Sequence, residues 1–285
     1  MQCVPDGVPD GQVLVNIIRL TMKVLITGGT GTLGRELTIA VAKAGHLVRI
    51  GSRRRMAGAV DPQQEWAPIQ LVDGSGLTNA VEGIEAVIHA ATDVRKAKKV
   101  DVAGTRRLIE VCQAAGIKHL IYVSIVGIDE IPLGYYRCKL QAEQIVAQCG
   151  VPFSIVRATQ FHTLIDQLLT NAARFPLVMP LPTDFQVQSV APVEVAGRLV
   201  RALGEGPSGR VTEFGGPEVM TLGEAVEIWK EIKRKRKRVI HVPMPGKVAT
   251  GFRTGKNIVR SGEFGCLRWA EWLRQQEAVN IATTI

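Results

Sequence analysis

Apolar and polar positions along this chain change period in a regular order. Short apolar runs of strand length alternate with stretches in which apolar residues recur every three or four positions, the spacing of one helix face. Val24–Ile26 is the first such run; a helical pattern follows through Ala44, Gly45 ends it, and His46–Ile50 is the second run. Gln63–Pro68 reads as irregular, Ile69–Val72 as a short third strand ending at Asp73, and Ile84–Ala91 as a fourth. A helix is expected from about Val100 to Ala115, with Val102, Leu108, Ile109 and Val111 on its apolar face and Gly116 as its stop. Lys118–Ser124 follows as a fifth strand, a helix opens at Tyr135 and runs to about Cys149, and Phe153–Arg157 is a sixth strand. Strands alternating with helices, without hairpin signals, predict an α/β fold built on a doubly wound parallel sheet. In such sheets ligands bind beyond the carboxyl ends of the strands.

The alternation weakens after His162. A helix to about Asn171 leads into a Pro-rich loop, Pro176–Phe185, whose apolar residues could wall a pocket. Helices over Pro192–Leu203 and Thr221–Lys233 flank a strand at Arg210–Phe214. Trp229, Trp269 and Trp272 read as core anchors. The expected organisation is an N-terminal extension over 1–21, a nucleotide-binding unit over 22–160, and a smaller substrate or lid region over 161–285, interleaved with the last strands.

Composition adds limits. With 46% hydrophobic and 21% charged residues the chain is ordinary for a globular enzyme. No apolar run approaches the ~20 residues of a membrane span, and Asp6 and Asp10 break any secretory leader. The five cysteines show no metal spacing and suit reduced thiols, so a cytoplasmic protein without a metal is expected. Most of the net charge of +9 lies in one run, Lys233–Arg238. Without interleaved aromatics that run is expected to be a solvated helix end and not a nucleic-acid site. A small-molecule partner is expected, and the oligomeric state, monomer or homodimer, is open.

The connection between the first strand and helix carries the clearest chemistry. Gly28, Gly31 and Gly34 recur every third position behind Thr27. Glycines there allow a tight turn, close approach of backbone to a pyrophosphate, and tight helix–strand packing, while the helix N-terminus offers free N–H groups. The turn residues Gly28, Thr30, Gly31, Thr32, Leu33 and Gly34 are therefore candidate cofactor contacts. At the end of the second strand stand Ser52, Arg53 and Arg54, with no carboxylate before Asp61. A carboxylate there would hold a ribose 2′-hydroxyl, whereas Arg meets a 2′-phosphate. NADP(H) is the expected cofactor.

Further on, Tyr135 and Lys139 are four apart on one expected helix face, and Ser124 ends a strand 11 residues upstream. A phenol is a poor proton donor at neutral pH, and a nearby lysine cation would lower its pKa. A serine hydroxyl could polarise a carbonyl, and a nicotinamide supplies the hydride. The TGxxGxxG turn with this Ser–Tyr–Lys set resembles the short-chain dehydrogenase/reductase superfamily and its Rossmann sheet. The segments His119–Gly127, Tyr135–Lys139 and Val156–Phe161 resemble the atypical, NmrA-like branch, over about Met22 to Leu273. The resemblance implies that Asp73 lies near the adenine, that Ala90 and Ala91 let the cofactor lie close, that Lys139 meets the ribose, and that Ala158 and Thr159 pass over the nicotinamide end. It implies an NADP(H)-dependent oxidoreductase acting on a small apolar carbonyl or quinone-like compound. The same branch includes cofactor-binding sensors without catalysis. Asp101 stands where many catalytic relatives carry an Asn of the proton relay, and Tyr136 competes with Tyr135 for the cofactor-facing position. His89, in an apolar strand, is expected to be a core histidine.

Overall fold

The computed structural model describes residues 21–55 and 64–284. Apart from Thr21, the expected N-terminal extension lies outside them, as does Asp61. Six strands carry the first half: β1 Lys23–Thr27, β2 Leu47–Ser52, β3 Gln64–Pro68, β4 Ala86–His89, β5 His119–Ile125 and β6 Phe153–Ala158. Between and after them run α1 Thr32–Lys43, α2 Leu77–Val81, α3 Thr105–Ala114, α4 Gly134–Ala147 and α5 His162–Ala172. The second half adds β7 Val178–Leu181, β8 Gln186–Val187, α6 Pro192–Glu205, β9 Val211–Gly215, β10 Met220–Thr221, α7 Leu222–Ile232, β11 Arg238–His241, α8 Lys247–Arg253, β12 Glu263–Phe264 and α9 Trp269–Thr284.

Eight strands form one sheet in the order β12-β9-β6-β5-β4-β1-β2-β3, and every pairing in it is parallel. The order reverses between β1 and β4, which opens the crevice used by ligands in such sheets. Successive residues of β1 point to opposite faces. Val24 and Ile26 join the core under α1 and α6 with Leu37, Val41 and Leu199. Leu25 joins the core on the other face with Leu77, Leu108 and Val146. Strands apolar on both faces are what a sheet covered by helices on both sides requires. Among the described residues no helix is long and apolar enough to cross a membrane.

Three expectations are corrected. The third strand is Gln64–Pro68, not Ile69–Val72. At the sheet edge it pairs with β2 alone among the described strands and none of its residues is buried, so it needs no apolar run; Glu65 points outward to Lys23 and Arg49. Ile69 and Leu71 are apolar because they turn beneath the sheet after the strand ends. The helix expected from Val100 begins instead as a wide turn of π type over Lys98–Gly104 before α3. Within the expected Pro-rich loop, Val178–Leu181 is a strand paired with β11, Pro180 included.

The smaller region has its own core, in which Leu169, Met179, Trp229, Trp269 and Trp272 are buried together. Trp229 donates to Asp166 at 2.6 Å and Trp269 to the Ala225 carbonyl at 3.1 Å, so both indoles are satisfied. The basic run leaves the end of α7, and two of its lysines meet α5, one along the helix and one just past its C-terminal end. Lys233 pairs with Asp166 at 2.8 Å, and Lys237 donates to the carbonyls of Ala173, which caps α5, and Phe175 at 2.5 and 2.6 Å. Cations beside the last carbonyls of a helix are favourably placed.

Candidate active site

A cleft of about 1080 Å³ lies along the carboxyl ends of β1, β2, β4, β5 and β6. Its floor is the turn between β1 and α1. Gly28 has φ of +73°, and a Cβ there would stand 2.7 Å from the Ala91 Cα, so this glycine and the small Ala90–Ala91 step are matched. A Cβ on Gly34 would stand 2.6 Å from the Gly29 Cα, so only glycine lets α1 pack this closely on the turn. α1 starts with Gly31 at its N-cap, without a capping side chain and without an acidic residue in its first turn. Its first N–H groups and its positive end therefore face the cleft unneutralised, as a pyrophosphate requires. The residues present fit a dinucleotide.

At the far end of β2, Arg53 is exposed and lines the cleft. Ser52 also lines it, but its hydroxyl donates to the Arg54 carbonyl at 2.7 Å and accepts from Trp66 Nε1 at 3.0 Å. Its proton is thus used to shape the loop that presents Arg53. Arg54 and Asp73 are not among the residues lining the cleft. Asp73 accepts from the Ser75 N–H at 2.9 Å, and this bond holds its carboxyl below the usual range. It is a turn-forming residue, and the cleft wall past β3 is made by Ile69, Gln70 and Leu71.

Ser124, Tyr135, Lys139, Ala158 and Thr159 all line the opposite end, together with Tyr136. Ser124 is 2% exposed and its Oγ has no partner. Tyr135 Oη lies 2.7 Å from Thr92 Oγ1, which in turn donates to Asp101 Oδ1 at 2.6 Å. A threonine hydroxyl has one proton, and the carboxylate takes it, so the phenol is the donor to Thr92. Asp101 also accepts from the Asp93 N–H at 3.2 Å and stands 3.9 Å from Lys139 Nζ. Lys139 donates to the Val123 carbonyl at 2.7 Å and lies 4.2 Å above the Tyr122 ring. Burial pulls the lysine down to about 8, against the opposing pull of Asp101 and Glu143.

The expected lowering of the phenol pKa by Lys139 is not found. Burial raises Tyr135 well above the ordinary tyrosine range, Thr92 opposes this, and Asp101 adds to it. The lysine is held by Val123 and Asp101 instead. Thr92 and the buried Asp101 were not predicted as a pair, because their contact depends on how the π turn packs against the end of β4. His89 is a core residue, bonded to Thr27 at 2.6 Å and Thr105 at 2.9 Å and kept neutral by burial. The cleft is also walled by Phe161, Leu164, Leu168, Phe185 and Phe252. Phe185 comes from the expected loop, and Phe252 of α8 stacks on it at 5.5 Å.

Fold and cleft define a dinucleotide-binding α/β protein, and comparison with known proteins gives the family. The family described as NAD(P)H-binding matches residues 28–204. The chain belongs to this NAD(P)H-binding family. It is 31% identical over 209 residues to the (4-alkanoyl-5-oxo-2,5-dihydrofuran-3-yl)methyl phosphate reductase of Streptomyces griseus, covering 70% of each chain. It is 29% identical over 237 residues to the photosystem II assembly factor Ycf39 of Synechocystis, covering 78% of this chain and 71% of that one. Among solved structures, the NADPH-dependent quinone oxidoreductase of Escherichia coli complexed with NADPH shares the fold, with a TM-score of 0.73 at 18% identity over 89% of this chain and 99% of that one.

Proposed function

We propose that this protein is an NADP(H)-dependent reductase that transfers a hydride to a small, apolar carbonyl or quinone-like substrate. The observation that carries the reading is the Tyr135–Thr92–Asp101 chain of hydrogen bonds beside an unpartnered Ser124 hydroxyl in the same cleft. The nicotinamide supplies the hydride. The N-terminus of α1 and Gly28–Gly34 would hold the pyrophosphate, Arg53 would take the 2′-phosphate, Lys139 the ribose, and Ala90, Ala91, Ala158 and Thr159 would leave room for the cofactor. The buried Ser124 Oγ donates to the substrate oxygen. Tyr135 turns its proton from Thr92 to that oxygen as negative charge builds on it. Thr92, held by Asp101, then turns its own proton to the phenolate. The walls of Phe161, Phe185 and Phe252 exclude water from the reacting atoms.

A second reading, a cofactor-binding sensor whose output is a protein contact, is favoured by one observation. Burial raises the Tyr135 phenol, which is tied to Thr92, and Lys139 donates to the Val123 carbonyl. NADPH oxidation across a panel of quinones and aldehydes separates the two. Turnover of at least one supports the reductase, and no turnover of any with intact NADPH binding supports the sensor.

A further inference from the structure

The basic run and the loop after α5 form a surface outside the cleft. Lys237 donates to the carbonyls of Ala173 and Phe175, so run and loop are held together. The loop turns its apolar side chains outward: Phe175 is 55% exposed and Leu177 84%. Beside them Arg174, Arg234, Lys235, Arg236 and Arg238 are all exposed. The pairing of β11 with β7 sets Arg238 next to Val178, the neighbour of Leu177. Within the run only Lys233 is ion-paired among the described residues, with Asp166 and Glu277. The acid nearest to the run in sequence is Glu231, near the end of α7, so the surface stays strongly cationic.

A second feature joins this surface to the cleft. Val239 packs inward on the core of the smaller region. At alternate positions beyond Arg238, Ile240, Val242 and Met244 are exposed. Met244 is also a wall of the cleft. An apolar stripe therefore runs from the cationic loop to the mouth of the cleft.

Exposed Phe and Leu beside clustered cations suit a bilayer with anionic headgroups. The apolar side chains enter the acyl boundary while the cations stay among the headgroups. A nucleic acid would meet the cations but leave Leu177 in water, and the run has no interleaved aromatic on which bases stack. A second copy seated face to face would bring two cationic clusters together, at a cost in like-charge repulsion.

We infer that this face binds peripherally to a bilayer rich in anionic lipid, with Phe175 and Leu177 entering it and the Ile240–Met244 stripe turning the cleft toward it. The inference does not rest on the reductase reading. Where both hold, an apolar substrate passes from the bilayer to the cleft without crossing water.

The test is co-sedimentation of the full chain with vesicles of phosphatidylcholine alone and with about one-third phosphatidylglycerol, at low and high salt. Binding to the mixed vesicles is expected to be at least about ten-fold tighter than to the neutral ones, and to weaken in high salt. Phe175→Ser with Leu177→Ser should weaken it at least about ten-fold. Lys235→Gln with Arg236→Gln and Arg238→Gln should weaken it at least about 20-fold. NADPH affinity within about two-fold of the parent in both variants is the control for folding, since all these side chains are on the surface and away from the cofactor turn. Equal binding to both kinds of vesicle, binding to neither, or binding that the Phe175 and Leu177 changes leave untouched would overturn the inference. A DNA duplex and a poly-glutamate peptide are run alongside. Tight binding of either, with no retention on vesicles, would assign the surface to a nucleic acid or an acidic protein instead.

Discussion

Replacing Asp101 by asparagine asks whether the buried cation at Lys139 is set by its neighbours as the geometry requires. Asp101 is 1% exposed, accepts from Thr92 and the Asp93 N–H, and stands 3.9 Å from Lys139 Nζ. Asparagine keeps an oxygen for Thr92 and removes the charge. Two unit charges at that separation interact by about 4 kcal/mol at an effective dielectric of about 20, which bounds the effect at about 3 pH units. Glu143 remains nearby, but its carboxylate is shared with Arg157 in a two-pronged ion pair at 2.8 and 2.9 Å. The Lys139 pKa, held at about 8 by burial against these carboxylates, therefore falls by about one to three units in Asp101→Asn. At neutral pH the variant then holds an amine between about half and almost fully neutral, where the parent holds mostly a cation. The assay is a ¹³C NMR titration with Cε-labelled lysine, the Lys139 signal being assigned from Lys139→Met. A midpoint near pH 8 in the parent and at least about one unit lower in the variant is expected. An unchanged midpoint would refute the reasoning, because it would mean that Asp101 does not support the cation.

Burial lowers His89 to about 3 and His119 to about 4 from 6.5, with Lys139 adding to the first. Between pH 6.5 and 4 the unfolded chain binds protons that the folded chain excludes. Stability is therefore complete above pH 6.5 and falls by roughly 3 kcal/mol per histidine by pH 4, as urea unfolding at pH 7 and pH 4.5 should begin to show. Gly34→Ala drives a methyl into the Gly28–Gly29 backbone. It is expected to cost about 2–3 kcal/mol in unfolding experiments and to weaken NADPH binding at least about ten-fold by fluorescence titration. Arg53→Ala removes the cation that lines the adenine end of the cleft, and should cut the preference for NADPH over NADH by about ten-fold or more in parallel titrations.

The doubly wound sheet was readable because β1, β4, β5 and β6 lie inside it, where both faces are covered and every position favours an apolar residue. The same rule misplaced β3, whose edge position lets it be polar while Ile69 and Leu71 are buried in the turn beyond. The glycine turn and the strand-end residues were readable because each depends on a few consecutive positions. Thr92–Asp101–Tyr135 was not, since it joins a strand end, a π turn and a helix, and only packing decides which atoms meet. Ser52 shows the opposite failure: the residue suits a phosphate, but the fold spends its proton on the Arg54 carbonyl.

The central claim, that a nicotinamide-bound cleft uses Tyr135 to deliver a proton, is tested most directly by Tyr135→Phe in NADPH oxidation with a quinone that the parent chain reduces. The phenylalanine keeps the ring and removes the hydroxyl that reaches Thr92. The account predicts a fall in kcat of at least about 100-fold with NADPH affinity within about two-fold of the parent. Undiminished turnover in Tyr135→Phe would contradict it.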